Sequence, residues 1–69
     1  MLKIKTVNKA IQSTVTPNME LVQGEGYMYL VYDNGSIYET KSIMVPRLND
    51  LILDDYLEEA ESFFKAILK

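Results

Sequence analysis

The chain of 69 residues contains no histidine and no cysteine. Without histidine it lacks the usual general base near neutral pH and the commonest transition-metal ligand. Without cysteine it lacks a thiolate nucleophile, zinc–thiolate sites and disulfides. Tryptophan is absent too, and glycine and proline are scarce, at three and two residues. No apolar run approaches the roughly 18 residues needed to cross a bilayer. The segment Met1–Lys9 carries Lys3 and Lys5 without the apolar stretch of an export signal. These absences predict a soluble cytoplasmic protein with no membrane partner.

What remains for chemistry is carboxylates, hydroxyls and lysine. Ser13, Ser36, Ser42 and Ser62 have no imidazole to activate them, and none lies in a Gly-x-Ser-x-Gly turn. Lys41 and Ser42 are neighbours in an extended segment, where adjacent side chains point to opposite faces. Asp50–Glu61 lacks the alternating ligands and central glycine of a calcium loop. Gly24-Glu25-Gly26 is followed by strand-forming residues, not by the helix that a phosphate loop opens onto. The expectation is therefore no enzyme, no metal and no cofactor, a small carboxylate-dependent enzyme being the alternative from a different class.

A chain this short is one domain, residues 1–69, with stability resting on apolar packing. Its content of 48% hydrophobic and 25% charged residues suits a folded domain rather than a disordered one. Charge is uneven. Residues 1–19 hold Lys3, Lys5 and Lys9 with no acid, and residues 20–69 hold all ten acids against four basic residues. A net charge of −3 speaks against nucleic acid as a direct partner, because phosphate binding needs clustered basic side chains.

Ile4, Val7, Ala10, Ile11 and Val15 fall at helical spacing, with Lys5, Asn8, Lys9 and Gln12 on the other face. They predict a helix from Val7 to Thr14, with Thr6 as N-cap and its end before Pro17. Met19–Gln23 predicts a short strand, Gly24-Glu25-Gly26 a hairpin connection, and Tyr27–Tyr32 the strongest strand. Asn34-Gly35 suits a type I′ turn, which needs positive φ at both central residues. That loop would place Tyr32 opposite Ile37, Val31 opposite Tyr38 and Leu30 opposite Glu39. Tyr29, Val31 and Tyr38 would then line one face, and Met28, Leu30, Tyr32 and Ile37 the other. Ser42–Leu48 predicts a last strand with Ile43 and Val45 on one face, Pro46 marking an edge position or the strand's end.

From Leu53 onward, Leu53, Tyr56, Leu57, Ala60, Phe63, Phe64, Ile67 and Leu68 form an apolar arc of roughly 140°. Asp54, Asp55, Glu58, Glu59 and Glu61 occupy the complementary arc. Acids at its start and Lys65 and Lys69 at its end match the helix dipole. The fold class expected is α+β, a small α-β-β-β-α domain with a three-stranded antiparallel sheet.

Four tyrosines, Tyr27, Tyr29, Tyr32 and Tyr38, gather on one hairpin whose two faces are both substantially apolar. Two helices cover one face of such a sheet, leaving aromatic surface for a partner. The expected function is non-catalytic binding of a protein partner, or of a second copy as a homodimer. Tyr27, Tyr29 and Tyr38 would be its apolar anchors, and Asp55, Glu58 and Glu59 its electrostatic rim.

The stretch Glu20-Leu21-Val22-Gln23-Gly24-Glu25-Gly26-Tyr27-Met28-Tyr29, with Arg47-Leu48-Asn49-Asp50-Leu51 and a closing amphipathic helix, resembles small uncharacterised proteins of bacterial and phage genomes. That resemblance spans nearly the whole chain and implies a bacterial or phage origin, with no assigned chemistry. Gly24-Glu25-Gly26-Tyr27 with Tyr32-Asp33-Asn34-Gly35-Ser36 is similar to part of a small acidic phage anti-CRISPR family that imitates DNA. It implies, as an alternative, an acidic inhibitor of a nucleic-acid-binding protein, and it transfers no functional residue.

Overall fold

A computed structural model describes residues 1–69. The order is helix α1 (Ile4–Thr14), strands β1 (Met19–Gln23), β2 (Met28–Asp33) and β3 (Tyr38–Ile43), a 3₁₀ turn at Leu48–Asp50, and helix α2 (Leu53–Ile67). The sheet is antiparallel with β2 in the centre. The expected α-β-β-β-α arrangement of an α+β domain is what the chain adopts.

Alternation along the strands decides which face is buried. Met19 and Leu21 of β1, Met28, Leu30 and Tyr32 of β2, and Ile43 of β3 point inward. Val7 and Ile11 of α1 and Tyr56, Ala60 and Phe63 of α2 complete one cluster with them. Both helices therefore cover the same side of the sheet. The Tyr32 and Phe64 rings meet at 5.6 Å, within the range of favourable aromatic pairs. Tyr56, wholly buried, donates its hydroxyl to the Leu48 carbonyl at 2.5 Å and so ties α2 to the segment that enters it.

Three local features depart from the sequence expectations. Helix α1 begins at Ile4, with Lys3 at its N-cap and no side-chain cap, so Thr6 lies inside it. The cause is packing: Leu2 and Ile4 rest against the core, and burying them outweighs the absent cap. The second hairpin is shifted by two residues. Asp33 faces Tyr38, Tyr32 faces Glu39 and Val31 faces Thr40, with Ile37 in the loop and 41% exposed.

The turn chemistry explains that shift. Gly35 alone in this loop has positive φ, at 92°, whereas Asn34 does not. The Asn34 N–H donates to the Ile37 carbonyl at 3.2 Å, so Gly35-Ser36 forms the corner, glycine leading as in a type II′ turn. Asn34 contributes its side chain instead, its Oδ1 accepting from the N–H groups of Ser36 and Ile37. A slip of two residues conserves the face of every side chain, so Tyr29, Val31 and Tyr38 share one face as expected. Finally, strand pairing ends at Ile43 and no strand spans Ser42–Leu48. Beyond Ile43 the chain turns away from β2 towards α2, where Val45, Leu48 and Leu51 pack against the core.

Candidate functional site

The face opposite the helices has no covering layer. Its residues follow from strand parity and register: Glu20 and Val22 from β1, Tyr29, Val31 and Asp33 from β2, and Tyr38, Thr40 and Ser42 from β3. Val22, Tyr29 and Val31 are half-buried by one another, while Tyr38 is 66% exposed. Six of these residues, with Met19 and with Gln12, Pro17 and Asn18 at one end, line an open depression of about 520 Å³. Half of its ten lining residues are hydrophobic, Met19, Val22, Tyr29, Val31 and Tyr38, and the polar half includes the carboxylates of Glu20 and Asp33, the latter accepting the Gly35 N–H at 2.9 Å.

The expected anchors are placed unequally. Tyr29 and Tyr38 lie on this face. Tyr27 lies at the first hairpin, its ring centroid 5.8 Å from that of Tyr29. Its ring also lies over Gly24, where an added Cβ would come within 2.9 Å of the Tyr27 ring. Gly24 therefore keeps open the space this ring occupies, and Gly26, at φ 78°, supplies the left-handed corner beside it.

The expected acidic rim lies elsewhere. Asp55, Glu58 and Glu59 belong to α2, whose apolar arc packs on the inner face, so these acids sit on the opposite layer from Tyr29 and Tyr38. Two of them already have partners within the chain. Asp55 accepts from the Ile52 N–H at 3.4 Å, and Glu59 pairs with Lys41 at 3.1 Å. Glu20 and Asp33 are the acids beside the tyrosines. Their signal in the sequence is parity alone, since each lies an even number of residues from Val22 or Tyr29 along its strand.

The two edges of the sheet are also unlike. Asn8 on α1 donates from Nδ2 to the Leu21 carbonyl at 3.2 Å and accepts the Leu21 N–H on Oδ1 at 2.5 Å. Gln12 donates to the Met19 carbonyl at 3.4 Å. These two side chains, placed by the sequence on the polar face of the helix, occupy the outer edge of β1 as a neighbouring strand would. Nothing comparable meets β3, and Tyr38, Glu39, Thr40 and Ser42 are all exposed.

No three acidic side chains converge as a metal site, and no helix is long and apolar enough to cross a membrane. The chain matches no protein-family model, no curated protein and no solved structure.

Proposed function

We propose that this chain is a non-catalytic protein-binding domain whose docking surface is the open face of the sheet. The observation that carries the reading is the depression itself, where half-buried Val22, Tyr29 and Val31 are flanked by Glu20, Asp33 and an exposed Tyr38. Val22, Val31 and the rings of Tyr29 and Tyr38 supply apolar contact, and the carboxylates of Glu20 and Asp33 at the margin favour a partner with a basic side chain beside an apolar one. Tyr27 acts indirectly, by holding the Tyr29 ring. The acidic-inhibitor alternative draws less support, since the acids divide between two layers and Glu59 is paired with Lys41.

The test is affinity recovery from host lysate with the wild-type chain and with Tyr38→Ala, Asp33→Lys and Glu58→Lys in parallel. A nuclease-resistant protein recovered by wild type and Glu58→Lys, and lost from Tyr38→Ala and Asp33→Lys, supports the open face. A partner retained by both face variants and lost from Glu58→Lys overturns it in favour of α2.

A further inference from the structure

We infer that the uncovered edge of β3 pairs with β3 of a second copy, about a two-fold axis through Thr40, joining two sheets into one. Hydrogen-bonded pairs alternate along an antiparallel ladder. The Asn34–Ile37 bond therefore directs the backbone groups of Glu39, Lys41 and Ile43 towards β2, and those of Tyr38, Thr40 and Ser42 outward. None of the side chains that seal β1 has a counterpart here. An open edge of this kind is a template for another strand unless charge or shape blunts it.

The charges on β3 select a register. Outward groups at Tyr38, Thr40 and Ser42 permit self-pairing centred on Glu39, Thr40 or Lys41. Centring on Glu39 sets Glu39 against its own copy, and centring on Lys41 does the same to Lys41, both of which are repulsive. Centring on Thr40 places Glu39 opposite Lys41 of the second copy and Lys41 opposite its Glu39. These are non-hydrogen-bonded positions, where side chains approach most closely. Thr40 then pairs with itself and Tyr38 with Ser42. Lys41 already pairs with Glu59 of its own chain, so it would stand between two carboxylates.

The outer face gains as well. Ser42 lies opposite Tyr29, and Tyr29 opposite Val22. The second copy's Tyr38, 66% exposed in the single chain, would land over Ser42 at the end of that row. All four helices fall on one side and the two open faces become continuous. This pairing stands apart from the partner-binding reading, because a chain that never dimerises leaves the open face unchanged.

Sedimentation over a concentration series tests it, with wild type, Thr40→Pro and Glu39→Lys. Proline is tolerated on an edge strand where the N–H faces solvent, so Thr40→Pro is expected to keep native circular dichroism and remain a monomer. Glu39→Lys sets lysine against lysine, and is expected to raise the dimer dissociation constant about tenfold. As an exposed surface change it also serves if Thr40→Pro does not fold. The cysteine-free background adds a register probe, since the two Thr40 Cα atoms would lie about 5.5 Å apart, inside disulfide range. Thr40→Cys is expected to cross-link on oxidation faster than Glu39→Cys. A wild type that stays monomeric throughout, a dimer indifferent to Glu39→Lys, or faster cross-linking from Glu39→Cys would each overturn the inference.

Discussion

The two hairpins share β2 yet are built on different terms. In the first, Met19 and Leu21 of β1 lie in the core beside Met28 and Leu30, and α1 covers both the face and the outer edge. In the second, the inward positions of β3 are Glu39, Lys41 and Ile43, and only Ile43 is buried. Lys41 reaches Glu59 with both side chains substantially exposed, a pair of the kind that contributes little. The first hairpin is thus held by apolar burial and the second mainly by its backbone ladder. In a domain this small the buried half carries the stability, and the exposed half is free to carry contacts.

Leu21→Ala offers the sharpest break in that contrast. Leu21 is 1% exposed, and truncation is expected to cost about 2–5 kcal/mol in urea unfolding, a large share of a small domain's stability. Tyr38→Ala on β3 should stay within about 0.5 kcal/mol in the monomer. Equal losses would mean that β3 is part of the core.

A smaller effect is expected from Asn8→Ala, which strands the Leu21 N–H and carbonyl at a part-buried edge. Leaving such groups unsatisfied costs about 1–3 kcal/mol. Amide exchange should quicken at Leu21 first. A change confined to α1 amides would show that the helix, not the strand edge, depends on this side chain.

Tyr56→Phe is milder than Asn8→Ala, and it probes the segment after β3. Loss of the bond to Leu48 is expected to cost about 0.5–1.5 kcal/mol near neutral pH. Burial first, and then the carboxylates of Asp50 and Asp55, push the Tyr56 phenol above its ordinary pKa. In alkali the unfolded chain therefore ionises before the folded one, starting near the ordinary value of about 10. The folded state then holds the extra proton, and stability falls as pH rises through and beyond that value. Unfolding followed against pH should show a shallower alkaline decline in Tyr56→Phe, and an unchanged decline would assign it to another group.

The contrast between the hairpins also marks what the sequence made legible. Helix α2 was plain because its apolar arc and terminal charges agree, and the strand faces were plain because parity survives a slip of two residues. The turn was not. Asn34 is suited both to positive φ and to accepting hydrogen bonds through its side chain, and only tertiary structure chose the second. Ile43 and Val45 alternate like a strand, yet Val45 packs against the core as the chain leaves β2. The tyrosines of the open face were found by composition. Glu20 and Asp33 beside them need the register, and the internal partners of Asp55 and Glu59 in the expected rim are set by folding.

Asn8 has a meaning beyond sealing an edge. Hydrophobic alternation rejects a strand displaced by one residue but is blind to a displacement of two, the error to which the second hairpin was open on paper. A carboxamide that grips the N–H and the carbonyl of one residue is not blind to it, since sliding β1 by two would present it with Met19 or Gln23 in place of Leu21. Asn8 serves as an alignment mark between helix and strand, giving β1 a unique address that its apolar pattern does not encode.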